Sequence, residues 1–237
     1  MLVLGIEAST ACSSVALVRG ETVVAAASLG VPRRHGEFLT PAVRFCLEQA
    51  GLGIDEVNGV AVGTGPGLFT GLRVGIATAQ TFAAARELPV VGLSSLDVLA
   101  FPARHTRRLL CAAVDARRGE LYWAFYRSAP GGVQRVGEMQ LGSLEVLVAE
   151  LESHGEPCLV VGDATIVHHE ALSRVAEVAG PDAAWPSAAH LAELAHPRFV
   201  REETERADQL RPIYLRQPDA AIGWQERGRL QGGGART

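Results

Sequence analysis

The stretch Gly63-Thr64-Gly65-Pro66-Gly67-Leu68-Phe69-Thr70-Gly71-Leu72-Arg73-Val74-Gly75 decides the fold of this chain. It leaves an apolar strand, Val60-Ala61-Val62, and opens a helix. Its glycines and its proline permit backbone conformations that other residues avoid, so its amides can approach a ligand or a neighbouring helix closely. A further apolar run, residues 89–93, follows the helix. This strand–helix–strand order predicts a parallel pair of strands in an α/β protein.

Two general nucleotide-binding signatures do not match this glycine run. A Walker loop needs a lysine to reach the phosphates, and all 22 basic residues that the Lys and Arg count covers are arginine. The dinucleotide-binding fingerprint needs a glycine three residues after Gly67, where this chain has Thr70. The run therefore calls for a different interpretation.

The glycine run resembles the GPGxFTGLRxG signature of the bacterial TsaB family, which is related to sugar kinases, Hsp70 and actin. Three further segments are similar to that family in the same order: the opening strand and turn at residues 4–10, a DARxGExYxA segment at 115–124, and a closing PxYLR segment at 211–216. The resemblance spans nearly the whole chain. It implies a two-lobed α/β fold of the actin-like superfamily (ASKHA), each lobe a mixed sheet with flanking helices.

The resemblance also implies a function. TsaB is a non-catalytic scaffold and activator that pairs with TsaD in the complex that attaches threonylcarbamoyl to the adenosine 3′ of the anticodon. We therefore expect no enzyme activity of its own, with TsaD and the ATPase TsaE as partners, a homodimer when TsaD is absent, and indirect contact with tRNA. We assign no cofactor to this chain, and ATP or Mg²⁺ could bind only in the complex.

The bulk properties agree with an ordered cytoplasmic protein. The chain has 237 residues, 48% of them apolar, and a formal charge of −4, so composition alone suggests neither a nucleic-acid nor a membrane binder. No apolar run reaches the roughly 18 residues of a membrane span, and the N-terminus lacks a signal-peptide pattern. The four cysteines form no CxxC pair, which favours free thiols over a zinc site or disulfides.

Two successive units of strands followed by helix and strand predict two lobes. We expect an N-terminal lobe at residues 1–103, a C-terminal lobe at 104–218 and a flexible tail at 219–237. The tail is rich in glycine and arginine and has no apolar periodicity. Within the first lobe, apolar spacing predicts helices over residues 36–50 and 71–86. Within the second lobe, it predicts helices over 144–152 and near 166–179 and 187–195.

The candidate nucleotide residues lie at the first turn and in the glycine run. Superfamily kinases hold metal and phosphate through a carboxylate after the first strand, and this chain has Glu7 there, followed by Ser9 and Thr10. Gly65 and Gly67 precede a helix N-terminus, where amides can bind phosphate. The structural alternative, which we favour, is that these residues only stabilise tight turns. An autonomous small-molecule kinase or ATPase is the second hypothesis for the chain.

No complete catalytic or metal-binding set is visible in the sequence. The catalytic relative TsaD binds its ion through HxxxH, whereas His35 is followed four residues on by Leu39. Ser13 and Ser14 have no histidine nearby in sequence, and no Gly-x-Ser-x-Gly elbow is present. A glycoprotease-like metallopeptidase is therefore the least favoured hypothesis, and we assign no catalytic residue and no metal ligand.

The partner interface is expected on the two helices of the first lobe. Small residues four apart on the second helix would allow close helix–helix packing, either with a partner or with the lobe's own sheet. The predicted interface residues are Phe38, Gly71, Gly75, Ala79, Phe82 and Ala83. A second charged group, Asp115, Arg117, Arg118 and Glu120, lies at a strand–turn–strand junction. The sequence does not decide whether that junction is a solvated hairpin or faces the cleft between the lobes.

Overall fold

The computed structural model describes residues 1–31 and 34–216. The first of its two five-stranded sheets has the order β3-β2-β1-β4-β5. Its strands are β1 (Leu2–Glu7), β2 (Ser13–Arg19), β3 (Thr22–Leu29), β4 (Gly59–Gly65) and β5 (Val90–Ser94). The first three form an antiparallel meander, and β4 and β5 add in parallel to β1. Every residue of β1 and β4 is buried, as expected for central strands covered on both faces.

The second sheet repeats this arrangement with the order β10-β9-β6-β7-β8. Its strands are β6 (Leu109–Arg117), β7 (Glu120–Ala129), β8 (Gly132–Ser143), β9 (Cys158–Val161) and β10 (Glu177–Val178). An antiparallel meander again comes first, followed by two strands that add in parallel. Read from the meander edge, both sheets therefore follow the order three, two, one, four, five. This repeat confirms the predicted two-lobed α/β fold, in which each lobe is a mixed sheet with flanking helices.

Seven helices of the described residues pack on these sheets. In the first half of the chain they are α1 (His35–Ala50), α2 (Phe69–Arg86) and α3 (Ser95–Ala100). In the second half they are α4 (Leu144–Ser153), α5 (Ala164–Val167), α6 (His169–Leu172) and α7 (Ala188–Val200). Helices α1 and α2 bury their apolar sides on one face of the first sheet. Helix α7 covers the other face.

Two features of the second half differ from the sequence-based expectation. The helix expected near residues 166–179 is replaced by α5 and α6, each four residues long, and by the short strand β10. Helix α7, assigned by sequence to the second lobe, packs on the first sheet against residues such as Val3, Ala61 and Val91. The lobe boundary at residue 104 stays a prediction, and the predicted tail at 219–237 lies outside the described residues.

Candidate functional site

The turn after β1 buries a carboxyl group. Glu7 has no exposed surface, and its Oε1 accepts a hydrogen bond of 2.7 Å from the backbone N–H of Ser9. Glu7 Oε2 and Ser9 Oγ are also buried, without a hydrogen-bond partner among the described residues. Burial raises the pKa of Glu7 to about 7, while the hydrogen bond from the backbone N–H of Ser9 acts in the opposite direction. Thr10 donates to the carbonyl of Cys12 and stabilises the same turn.

The glycine run packs directly on this turn. The N–H of Leu68 donates to the carbonyl oxygen of Ser9 over 2.6 Å. A Cβ added at Gly67 would lie 2.1 Å from that same oxygen, so only glycine permits this approach. Gly67 therefore contacts Ser9 itself, so the loop and the turn are closely packed against each other.

The structure brings Ser13 and His35 together, although 22 positions separate them in sequence. The Oγ of Ser13 lies 2.5 Å from Nδ1 of His35, and both side chains are buried. No histidine lies near Ser13 in sequence, and the fold brings His35 to it. The pair still lacks the features of a hydrolase, because Ser13 is only 2% exposed and no described carboxylate hydrogen-bonds to His35. The neighbouring Ser14 accepts from the N–H of Ala188 at the start of α7.

The small-residue stripe on α2 faces the interior of its own lobe. Ala79 and Ala83 are at most 1% exposed and belong to the core formed with the first sheet. Gly71 and Gly75 are buried too, since a Cβ at either position would meet Ala8. The prediction that these four residues contact a partner is corrected accordingly, because the same small side chains serve to seat α2 on the sheet. Phe38 and Phe82 are half-buried at the edge of that core, and their place in an interface stays a prediction.

The outer face of α2 carries no charge over three turns. Between Arg73 and Arg86 the helix has no charged residue, and its exposed positions are Ala77, Thr81, Ala84 and Ala85. The hydroxyl of Thr81 donates to the carbonyl of Ala77 in its own helix, so it does not require water. Phe45 on the neighbouring helix α1 is 50% exposed. Solvent-facing helix surfaces are normally charged or polar, so this composition is typical of a covered surface.

The closing segment at residues 211–216 joins the other motifs in space. The N–H of Ile213 donates to the carbonyl of Thr64 over 2.7 Å, and Gly65 adopts a positive φ of 97° where the two segments meet. Tyr214 stacks near Phe69, with ring centroids 5.4 Å apart, and accepts a hydrogen bond from Arg73. The segment is thereby fixed to the glycine run and to the first turn of α2.

The last described residue of that segment contacts the second sheet. Arg216 donates to the carbonyl of Ala116 over 2.9 Å and pairs with Glu120. Arg117 pairs with Asp115 in the same β6–β7 hairpin, whose turn is tight because Arg117 and Arg118 have φ values of 63° and 61°. The charged junction is therefore a hairpin to which the closing segment is attached.

Sequence reasoning missed Asp163, which follows β9. Its Oδ1 accepts a hydrogen bond of 2.8 Å from the N–H of Asp115, and the residue is only 8% exposed. Burial raises its pKa to about 6. Each lobe thus buries one carboxyl group close to the end of a parallel strand, Glu7 after β1 and Asp163 after β9. The sequence could have indicated this residue, because an apolar run that predicts a strand ends directly before Gly162 and Asp163.

Neither a metal cluster nor a membrane helix is found in the part of the chain that the structure describes. No three His, Cys, Asp or Glu side chains there are grouped as metal ligands would be. None of the described helices has the length and apolar character needed to cross a membrane.

Two lobes of identical strand order, joined by helices between the sheets, define the class of actin-like two-lobed proteins. The activator of 2-hydroxyisocaproyl-CoA dehydratase from Clostridium difficile, solved with bound ADPNP, has the same fold with a TM-score of 0.53 at 12% identity, and covers 91% of this chain and 100% of its own. YeaZ from Pseudomonas aeruginosa has a TM-score of 0.77 at 28% identity, covering 90% of this chain and 99% of its own.

The sequence comparisons identify the family within this class. The family model described as TsaD, tRNA N6-adenosine threonylcarbamoyltransferase, matches residues 30–224. The tRNA threonylcarbamoyladenosine biosynthesis protein TsaB of Bacillus subtilis is 30% identical over 228 residues, which is 95% of this chain and 99% of the relative. TsaB of Escherichia coli is 30% identical over 239 residues, covering 91% and 95% of the two chains. The chain belongs to the TsaB family, which confirms the resemblance stated above.

Proposed function

We propose that this chain is a non-catalytic subunit in the biosynthesis of threonylcarbamoyladenosine in tRNA, and that it pairs with a TsaD-type transferase. The observation that carries the proposal is the match over nearly the full length of both chains to relatives named for this pathway. Such a subunit works in the cytoplasm, supports the transferase, and acts beside a TsaE-type ATPase in the complex. The tRNA is the substrate of the assembly as a whole.

The closed geometry around Glu7 supports a role without catalysis or nucleotide. A carboxylate that orders metal and phosphate must reach them, whereas Glu7 has no exposed surface. In the loop that would bind a phosphate, the N–H of Leu68 already donates a hydrogen bond to the carbonyl oxygen of Ser9. This closed geometry supports the proposal that the lobe acts without a bound nucleotide.

The uncharged outer face of α2 supports pairing through the first lobe. Interfaces are depleted of charge at their centre, and the exposed residues Ala77 and Thr81 meet this condition. The exposed aromatic ring of Phe45 on α1 extends the apolar surface. A partner with the same fold can present its equivalent helices to this face. A second copy of this chain can do so in the same manner, which gives a homodimer when the transferase is absent.

Reconstitution with a TsaD-type relative tests the proposal. We expect the tagged chain to retain the relative on affinity purification, and tRNA modification by the purified relative with a TsaE-type ATPase to require this chain. We expect the isolated chain to hydrolyse neither ATP nor peptides at enzyme-like rates. Modification that proceeds equally well without the chain, or ATP turnover that is lost in Glu7→Ala, contradicts the proposal.

A further inference from the structure

Three adjoining depressions surround the turn between β7 and β8. The first, about 440 Å³, lies between this turn and the C-terminal half of α7. The second, about 350 Å³, shares residues 129–132 with the first, and the third, about 460 Å³, shares His105 and Ser128 with the second. Neighbouring depressions share wall residues around this turn, and we call the three together the arginine groove.

Cationic side chains dominate the walls of the arginine groove. Arg135, Arg198 and Arg201 line the first depression, together with the only lining carboxylate among the described residues, Asp97. The other two depressions are lined by Arg104, Arg107, Arg108 and Arg127. The three depressions are therefore lined by seven arginines and one carboxylate, in a protein whose formal charge is −4.

Five of the seven arginines form ion pairs, and three of these pairs are Arg104 with Glu193, Arg135 with Asp97 and Arg201 with Glu203. Each pair leaves guanidinium donors available. Arg127 pairs with Glu156, and Arg108 pairs with Glu177, but neither carboxylate lines the groove. A guanidinium has five N–H donors, and a carboxylate occupies at most two or three of them. Both arginines are about half exposed, and exposed ion pairs exchange readily for other anions. Arg107 forms no salt bridge with any described carboxylate.

We propose that the arginine groove binds the phosphate backbone of RNA. A row of depressions fits a polyanion better than a single small anion, because successive phosphates can contact successive guanidinium groups. Arginine also suits phosphate in particular, since its planar fork donates two parallel hydrogen bonds. The backbone carries the same charge at every nucleotide, so this contact positions RNA without reading its sequence.

The inference rests on the proposed function, because a subunit of a tRNA-modifying assembly has RNA beside it. The groove and the outer face of α2 lie on different sides of the first lobe. Helix α7, which lines the groove, covers one face of the first sheet, and α1 and α2 cover the other. A transferase bound at α2 therefore leaves the groove accessible. The chain then adds a direct tRNA contact to the indirect one expected from the sequence.

Binding of fluorescently labelled, unmodified tRNA to the full chain tests the inference by anisotropy over a range of salt concentrations. The groove variant is Arg107→Glu with Arg127→Glu. The control is Arg19→Glu with Arg174→Glu, which changes the net charge equally at exposed arginines elsewhere. We expect the groove variant to bind at least about tenfold more weakly, and its slope of log affinity against log salt to fall by about 2. The control should stay within about threefold of the wild type.

Three outcomes overturn the inference: equal weakening in both variants, no salt-dependent tRNA binding by the wild type, or binding of an acidic peptide in place of tRNA. Capture of the TsaD-type relative, measured on the same proteins, separates the two proposals. Retained capture with lost tRNA binding in the groove variant supports both. If the wild type captures the relative but does not bind tRNA, only the groove inference fails. If it binds tRNA through the groove but captures no relative, only the proposed function fails.

Discussion

The hydroxyl oxygen of Ser13 lies 2.5 Å from Nδ1 of His35, and this buried pair joins β2 to the first residue of α1. Burial lowers the pKa of His35, so the imidazole is neutral at pH 7. A neutral imidazole that accepts the hydroxyl proton at Nδ1 carries its own proton at Nε2. Which of the two groups donates depends on the tautomer of the histidine, and in either case the contact fixes the helix that borders the proposed interface.

We expect His35→Ala to lower the free energy of unfolding by roughly 2–4 kcal/mol, because it leaves the hydroxyl of Ser13 buried without a partner and opens a void. Urea denaturation of the single variants and of the double variant with Ser13→Ala measures the coupling between the two side chains. Ser28→Ala, an exposed serine on β3, serves as the control. A coupling energy near zero would show that the pair does not stabilise the fold.

The contact between Ser13 and His35 also makes the free energy of unfolding depend on pH in a defined direction. The folded pKa of His35 lies below its ordinary value of 6.5, so the unfolded chain binds more protons between the two values. The neutral histidine thus stabilises the fold above about pH 6.5, and this contribution is lost as the pH falls towards the folded pKa. In His35→Ala the decline in unfolding free energy between pH 7 and pH 5 should be shallower than in the wild type. Parallel curves for the two proteins would contradict this.

Glu7→Gln should stabilise the protein in alkaline solution. Burial raises the pKa of Glu7 from 4.5 to about 7, so the folded protein holds a proton that the unfolded chain releases. Its contribution is therefore complete below pH 4.5 and is lost as the pH rises through 7. At pH 8 we expect the variant to exceed the wild type in unfolding free energy by up to about 3 kcal/mol, and at pH 4.5 to differ little. Glu48→Gln, on the exposed side of α1, is the matched surface control. If the gain in unfolding free energy were the same at every pH, better packing of the glutamine would explain it, and the ionisation of Glu7 would not.

Gly67→Ala tests the contact between the glycine run and the first turn. The new Cβ would lie 2.1 Å from the carbonyl oxygen of Ser9, a backbone atom that cannot rotate away. Displacing the loop should therefore lower the unfolding free energy by about 1–3 kcal/mol. Gly30→Ala is the matched control, since a Cβ there meets nothing within 4 Å. Equal thermal stability of the two variants would mean that the loop yields freely, and that a phosphate could enter.

Arg216→Ala should loosen the closing segment from the second sheet. The guanidinium donates to the carbonyl of Ala116 and pairs with Glu120, and its side chain is only 20% exposed. Its removal should lower the unfolding free energy by about 1–3 kcal/mol. A cycle with Glu120→Ala, measured by urea denaturation, isolates the ion pair, and Arg211→Ala serves as a neighbouring arginine control. Additive effects in that cycle would show that Arg216 acts through Ala116 alone.

The sequence predicted the strands and the longer helices because their apolar spacing is regular and local. The sequence predicted the position of helix α2 correctly, but it did not decide which way its small residues face. Gly75, Ala79 and Ala83 could pack against a sheet as well as against a partner helix. The contacts of Ser13 with His35 and of Arg216 with Glu120 join residues 22 and 96 positions apart. No local pattern encodes such pairs. The packing of α7 on the first sheet is non-local in the same way, since the chain returns from the second sheet to cover the first.

The two faces of α2 provide the sharpest test of the partner interface. Ala77 is exposed on the uncharged face, whereas Ala79, two residues on, is fully buried against the first sheet. We expect Ala77→Arg to leave the thermal stability nearly unchanged, because the new side chain extends into solvent. The same arginine should greatly reduce capture of the TsaD-type relative and of a second copy, because a charge within a closely packed helix contact is desolvated without a counter-ion. Ala79→Arg should instead unfold the protein, since a buried arginine there has no partner.

Ala149→Arg supplies the control, because Ala149 is an exposed alanine on α4 of the other sheet and receives the same charge. It should leave both folding and capture unchanged. Circular dichroism shows which variants are folded, and affinity capture together with light scattering shows which of them associate. If folded Ala77→Arg retains the relative with unchanged affinity, and Phe45→Asp does so too, then the outer faces of α1 and α2 are not the interface. A loss of capture confined to Ala77→Arg and Phe45→Asp assigns the contact to these two helices, because the Ala149→Arg protein has the same net charge as Ala77→Arg.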